Sequence, residues 1–144
     1  MLLWRGDGKK GLSARYKLSA IIKKNEIVQR KFEDVSFDKG GVFISGITYY
    51  EVKRGLIASN ATRKLAEFER ICRRTPVIFW NDIAILEKAA EIHAYLKKRG
   101  MRLEDADIFI AAIAIVRELV LVSHDSDMLR VPDLTLEDWL AIAK

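Results

Sequence analysis

The stretch from Glu104 to Trp139, EDADIFIAAIAIVRELVLVSHDSDMLRVPDLTLEDW, decides the fold. Asp105 and Asp107 open a run of small apolar residues that predicts a helix. An apolar strand, predicted over Leu119–Val122, follows it and leads directly into the acidic turn at 123–127. Ligands of open α/β sheets bind in the crevice beyond the carboxyl ends of the strands. Acids placed there form a candidate site for a hard divalent cation.

Length and composition predict one globular domain. The 144 residues are enough to bury a core without disulfides or metal staples, so we expect a single domain over 1–144. The only cysteine, Cys72, excludes an internal disulfide framework and is expected to be a small buried hydrophobe in a reducing compartment. No apolar run approaches the roughly 18 residues of a membrane span. These features predict a cytoplasmic protein with no membrane partner.

The net charge of +5 is unevenly distributed along the chain. Residues 1–75 hold 17 Lys and Arg against 8 Asp and Glu, whereas residues 76–144 hold 8 against 12. A basic part of this kind is compatible with a nucleic-acid partner, and the acidic part with a cation site. A solvated lysine-rich face is the simpler interpretation of the basic part.

Strands alternate with helices along the rest of the chain. Residues 12–34 predict a basic amphipathic helix, because apolar residues recur there at helical spacing between lysines and arginines. The other predicted elements are strands at Val42–Ser45, Pro76–Trp80 and within 134–139, and helices from Thr48 to about Leu56, from Ala61 to Arg74, and from Asn81 or Asp82 to Arg99. This alternation indicates βαβ units and a small parallel sheet in a three-layer α/β/α domain.

The acids of the predicted crevice also have structural explanations. Thr48 and Glu51 have the spacing of a capping box, in which Glu51 would bond back to the helix N-terminus. Asp105 and Asp107 could favour a helix N-terminus through its dipole. Since they point to different sides of that helix, we choose Asp107 as the residue that faces the crevice.

The acids of the turn after the predicted strand allow two interpretations as well. Asp125 and Asp127 could be turn residues that bond their own backbone. The functional interpretation rests on coincidence, because Glu51, Asp107 and Asp125 are all predicted at the same edge of the sheet. His93 and His124 lack metal-ligand spacing and are expected to be surface or packed residues.

The first six residues, Met1 to Gly6, also allow two interpretations. Met1-Leu-Leu-Trp-Arg5 is apolar and stops at a Gly-Asp-Gly sequence, so it is either a five-residue strand or the end of a longer helix. In the first case Asp7 is an acid that closely follows the strand.

Four segments resemble the PIN-domain ribonucleases, and most closely the toxins of VapBC-type toxin–antitoxin pairs. They are Val42-Phe-Ile-Ser-Gly-Ile-Thr-Tyr-Tyr-Glu-Val-Lys-Arg-Gly55, Asp105-Ala-Asp-Ile-Phe-Ile-Ala-Ala-Ile-Ala114, Leu121-Val-Ser-His-Asp125 and Arg130-Val-Pro-Asp-Leu-Thr-Leu-Glu-Asp-Trp139. The resemblance covers most of residues 41–139. It implies a compact α/β/α nuclease that binds Mg²⁺ or Mn²⁺, cleaves RNA and is silenced by a cognate antitoxin. A homodimer is a further candidate assembly, which the sequence does not decide.

The resemblance assigns Glu51, Asp107 and Asp125 as catalytic and metal-binding residues, with Ser45 and Thr48 as hydroxyl residues beside them. Family members begin with a central strand that ends in Asp, and Met1–Gly6 resembles the end of the helix that follows it. We therefore expect that strand and its aspartate to be absent, which would leave the neighbouring strands without ladder partners. The alternatives are a non-catalytic module of the same fold that binds an antitoxin or RNA, and a domain whose acids only cap helices.

Overall fold

A computed structural model describes residues 1–4 and 41–138, in which a five-stranded sheet packs with four α-helices. The strands are β1 (Leu2–Trp4), β2 (Val42–Ser45), β3 (Val77–Ile78), β4 (Val120–Val122) and β5 (Leu136–Glu137). The helices are α1 (Gly46–Ala58), α2 (Thr62–Cys72), α3 (Ile83–Lys98) and α4 (Asp105–Val116), and a 3₁₀ turn spans Ser126–Arg130. The predicted basic helix over 12–34, Asp7 and Trp139 lie outside the described residues.

The strand order of the sheet is β3-β2-β1-β4-β5. β2 pairs with β3 in parallel, with Ser45 opposite Ile78, and β4 pairs with β5 in parallel, with Val122 opposite Glu137. The carboxyl ends of these four strands therefore lie at one edge of the sheet. This edge, called the carboxyl edge below, is where the sequence places its acids.

The central strand differs from the expected parallel arrangement. β1 is antiparallel to both neighbours, with Leu3 opposite Phe43 in β2 and opposite Leu121 in β4. The expectation that the chain's first residues are a helix end, and that β2 and β4 lack a ladder partner, is therefore wrong, because Leu2–Trp4 occupies the centre of the sheet. Its carboxyl-terminal residue, Trp4, pairs with Val42 and Val120 at the opposite edge, so β1 brings no carboxylate to the carboxyl edge.

Helices cover both faces of the sheet. Neighbouring residues in a strand point to opposite faces, yet Leu2 and Leu3 in β1 are both buried, as are Leu121 and Val122 in β4. Such strands are typical of a sheet with helices on either side. α1 packs with α2, and α3 packs with α4. The three-layer α/β/α prediction is confirmed.

The core has its centre on α4. Five consecutive residues of this helix, Ile110 to Ala114, are at most 1% exposed. They belong to one apolar cluster with Leu3 and Leu121 of the sheet and with the buried side of α3, which includes Ile92 and Leu96. Alanines at 111, 112 and 114 let neighbouring backbones approach, so α4 is held closely against the sheet and its N-terminus is fixed at the carboxyl edge.

Most predicted elements match the structure, with shifted boundaries. Asp82 caps α3 as predicted, because its Oδ1 accepts a hydrogen bond of 3.0 Å from the Ala84 amide. The predicted strand Pro76–Trp80 is shorter, since only Val77 and Ile78 pair. Phe79 and Trp80 instead leave the sheet and lie beside Gly46, where a Cβ atom would come within 3.0 Å of the Trp80 ring.

Candidate functional site

Three elements bring Glu51, Asp107 and Asp125 to the carboxyl edge. Glu51 lies in the second turn of α1, directly above β2. Asp107 lies in the first turn of α4, and Asp125 follows β4 after two residues. The structure therefore brings the predicted residues to the same region, where the charges of Asp125 and Glu51 both act on Asp107.

Ser45 and not Thr48 caps α1, which corrects the predicted capping box. The Ser45 Oγ accepts a hydrogen bond of 3.1 Å from the Thr48 amide and donates one of 2.9 Å to the Thr48 Oγ1. Both side chains are buried. The helix starts at Gly46, two residues earlier than predicted, because the hydroxyl of Ser45 satisfies its N-terminus. Glu51 is then too far along the helix to cap it.

The carboxylate of Glu51 is accordingly available for another role. It is exposed, and it makes no hydrogen bond or ion pair with any residue that the structure describes. Capping, which competed with the site role in the sequence, does not occupy Glu51.

Asp107 carries the electrostatic signature of the site. It is partly buried, and burial raises the pKa of its carboxyl above the ordinary value of 3.8. The negative charges of Asp125, Glu51 and Glu104 raise this pKa further, and the positive charge of the chain's terminal amine, next to β1, lowers it. Within the described residues, nothing donates a hydrogen bond to the Asp107 carboxylate. It is an acid among acids, an arrangement that a bound cation would stabilise.

Asp125 has a structural role as well as its place in the site. Its Oδ1 accepts a hydrogen bond of 2.9 Å from the Asp127 amide and so caps the 3₁₀ turn. Its own amide donates to the Oγ of buried Ser123. Capping uses one carboxylate oxygen, so both interpretations made from the sequence can apply to this residue. Asp127 is held by Arg130, 2.8 Å from its Oδ1.

The oxygen donors of the site suit a divalent ion, but they do not form a closed cage of protein ligands. Across residues 1–4 and 41–138, no three His, Cys, Asp or Glu side chains are placed to hold one metal ion together. Mg²⁺ commonly uses one or two carboxylates and completes its shell with water and substrate phosphates. Asp107 and Asp125 could supply those carboxylates, with Glu51 acting through a water.

A groove of about 670 Å³ opens beside Asp107 and Asp125. Its acidic lining consists of Glu104, Asp105, Asp107, Asp125 and Asp127. Cationic or titratable side chains also line it, from the C-terminal part of α3 and the following loop: His93, Lys97 and Arg102. Sequence reasoning missed Lys97 and Arg102, although the run Lys97-Lys98-Arg99 with Arg102 lies immediately before the acids.

Other candidates from the sequence have structural roles. Lys53, a cation two residues after Glu51, is held by the Tyr49 hydroxyl at 3.1 Å and by Glu69 at 3.6 Å. Arg54 lies over the Tyr50 ring at 5.2 Å. Cys72 is partly exposed and not fully buried as expected, and the burial it has raises the pKa of its thiol to about 11.

Both histidines are exposed. His124 Nδ1 lies 3.7 Å from Asp138 Oδ1, and His93 faces the groove. No helix among the described residues is long and apolar enough to cross a membrane.

The fold agrees with comparisons to known proteins. The sequence pattern of the PIN domain matches residues 18–134. A ribonuclease VapC1 from Methanocaldococcus jannaschii is 34% identical over 89 residues, which are 62% of this chain and 60% of the relative. A ribonuclease VapC1 from Haemophilus influenzae strain R2866 is 30% identical over 98 residues, 67% of this chain and 72% of the relative. The chain thus spans less than two thirds of the first relative.

Solved structures show the same fold. VapBC2 from Rickettsia felis, bound to a DNA fragment from its promoter, matches with a TM-score of 0.77 at 22% identity, covering 85% of this chain and 92% of that chain. DNA-bound VapBC from Salmonella typhimurium matches with a TM-score of 0.75 at 28% identity, covering 85% and 91%. The chain therefore belongs to the PIN-domain family. Its likeness is to VapC-type members, as the sequence resemblance predicted.

Proposed function

We propose that this chain is a divalent-metal-dependent endoribonuclease of the VapC type. The observation that carries the proposal is the position of Glu51, Asp107 and Asp125 on separate elements near the carboxyl edge of a PIN fold, where the charges of Asp125 and Glu51 act on Asp107. The raised pKa of Asp107 supports it, because burial and the charges of Asp125 and Glu51 disfavour the ionised carboxyl, and a bound cation would offset both effects. RNA as the substrate puts the proposed activity in the cytoplasm.

Asp107 and Asp125 would hold Mg²⁺ or Mn²⁺, and Glu51 would orient a water within the same charge cluster. When bound, such an ion polarises a phosphoryl oxygen and lowers the pKa of a water, the in-line nucleophile. The protein supplies the fixed geometry. α4 is anchored by its buried residues, and Asp125 is anchored by its bond to the Asp127 amide, so neither carboxylate has to be ordered when the substrate arrives.

A cleavage assay tests this proposal. Purified chain, freed of any co-purifying protein, is incubated with a mixed-sequence RNA and Mg²⁺, Mn²⁺ or EDTA. We expect cleavage only with the divalent ions, and its loss in Glu51→Gln and Asp125→Asn. Asp105→Asn is the matched control, because Asp105 is an exposed acid in the same groove. Equal loss in the control, or cleavage that persists in EDTA, would contradict the assignment.

A second candidate is a PIN-fold module that binds without catalysis. One observation favours it: the antiparallel β1 contributes no acid to the carboxyl edge, and three carboxylates are fewer than the four that the family resemblance implies. If metal-loaded chain binds RNA but leaves it intact under all conditions, this candidate replaces the nuclease. Calorimetry with Mg²⁺ and Mn²⁺ distinguishes a site that no longer binds metal from one that still does.

An antitoxin is the proposed protein partner. The matching Salmonella structure is a VapBC assembly, and this chain shares its fold. Co-expression with the product of a neighbouring gene, followed by co-purification, tests the pairing.

Light scattering of the purified chain tests the proposed homodimer, and limited proteolysis tests the proposed single domain over 1–144.

A further inference from the structure

We infer that the groove beside Asp107 and Asp125 holds a single strand of RNA through phosphate contacts with Lys97 and Arg102. The inference rests on the proposed nuclease function and adds the way in which the substrate is held. Glu104, Asp105, Asp107, Asp125 and Asp127 form its acidic lining, and the two cations come from the end of α3 and the loop after it.

Neither Lys97 nor Arg102 has a side-chain partner among the described residues. Lys97 and Arg102 are exposed, and their side chains make no hydrogen bond or ion pair with the described residues, although five carboxylates line the same groove. Other cations close to acids are paired: Lys88 with Glu91 at 2.7 Å, and Arg130 with Asp127 of the groove lining at 2.8 Å. Lys97 and Arg102 thus remain apart from the carboxylates of the groove, which leaves space between them for a ligand that carries negative charge and brings or shares a cation.

The backbone that carries the two cations is well defined. Gly100 adopts a φ of +66°, and the amides of Gly100 and Met101 donate to the carbonyls of Lys97 and Leu96, which closes α3. Arg130 then joins the two sides of the groove, because its Nη1 donates to the Arg102 carbonyl at 3.0 Å while its Nη2 contacts Asp127. This bridge fixes the distance between the loop and the acids before any ligand binds.

The charge pattern matches one stretch of RNA backbone. A phosphate next to the acids needs a metal ion to offset its repulsion by the carboxylates. The neighbouring phosphate needs positively charged side chains in direct contact, and Lys97 and Arg102 supply these. A groove of about 670 Å³ is in the size range of clefts for small ligands. It suits one or two nucleotides of an unpaired strand, not a duplex.

The experiment measures binding of a fluorescent, mixed-sequence 12-nucleotide RNA by anisotropy with Mg²⁺ present, in the Glu51→Gln background to prevent cleavage. Lys97→Gln and Arg102→Gln are compared with Lys98→Gln and Arg74→Gln, which remove the same charge at exposed positions away from the groove. We expect each groove variant to weaken binding about tenfold, because a charged hydrogen bond to a phosphate is lost. The slope of log affinity against log salt concentration should fall by about 0.7 per removed contact. The controls should change affinity by less than about twofold.

Two further outcomes separate this inference from the proposed function. If the groove variants bind RNA like their controls, in a chain that cleaves RNA with Mg²⁺, the inference that the groove holds RNA is wrong. The proposed nuclease function is then unaffected. RNA binding that depends on Lys97 and Arg102, in a chain that cleaves nothing, would support the groove and refute the nuclease. In an active chain, both variants should raise KM and leave kcat nearly unchanged, because they bind ground state and transition state alike.

Discussion

Replacing Asp107 by asparagine should make the protein more stable and inactive at the same time. Asp107 is a partly buried carboxylate without a hydrogen-bond donor among the described residues, and its pKa lies above 3.8 because of burial and the charges of Asp125 and Glu51. An acid whose pKa rises on folding destabilises the fold at pH values above that pKa. Asp107→Asn removes this cost and keeps the size of the side chain.

The size of the gain follows from the linkage between pKa and stability. Each unit of pKa shift corresponds to about 1.4 kcal/mol, and solvent around a partly exposed group reduces the effect. We therefore expect a gain below about 1 kcal/mol at pH 7, and so a rise in melting temperature smaller than about 4 °C. The gain should shrink as the pH falls through the raised pKa and vanish below about 3.8, where the carboxyl is protonated in both folded and unfolded chains.

With divalent metal, the wild-type chain should become more stable than Asp107→Asn. An ion present at 100 times its dissociation constant stabilises the wild-type chain by about 2.7 kcal/mol, and Asp107→Asn should lose most of this effect. Thermal unfolding at pH 7, with and without Mg²⁺, measures both quantities, and RNA cleavage should fall by at least about 100-fold. Asp105→Asn, an exposed acid in the same helical turn, is the control. If the two variants have the same melting temperature and the same response to Mg²⁺, Asp107 is not the centre of a cation site.

Three further predictions concern the framework of the site. Ser45→Ala should lower the free energy of unfolding in urea by about 2–3 kcal/mol, since it removes the α1 cap and leaves the buried Thr48 hydroxyl without its partner. Ser45→Asp, which keeps a capping oxygen, should lose less stability. Equal losses in the two variants would exclude the cap as the cause. Leu121→Ala should cost about 2–5 kcal/mol in the same assay, because Leu121 is fully buried in β4, with exposed Leu129→Ala as the near-neutral comparison. Cys72, with its pKa of about 11, should react with iodoacetamide at pH 8 far more slowly than the same thiol in urea, and equal rates would show that it is not protected.

Local patterns in the sequence were sufficient to predict the class of fold and the three candidate acids. Small residues after Asp107 are typical of a helix packed against a sheet, and the apolar run before Ser123 is typical of a buried strand. These signals depend on neighbours in the chain, so they can be read without coordinates. The alternation of such segments predicted the α/β/α arrangement, which is confirmed. The same local information placed Glu51, Asp107 and Asp125 at one edge of the sheet.

Only the tertiary structure decided how the elements pair and which side chains remain free. The sequence does not show that Leu2–Trp4 enters the sheet antiparallel, because strand direction depends on ladder partners about 40 and 120 residues away. Nor does it show that Lys53 is bound by Glu69 while Lys97 and Arg102 are not, since both outcomes depend on contacts between separate elements. Even the start of α1 required the structure, because Ser45 and Thr48 are both good caps and the hydrogen bond from the Thr48 amide to the Ser45 Oγ decided between them. The acids are local features of the chain, whereas their mutual repulsion and the cations beside them exist only in the folded protein.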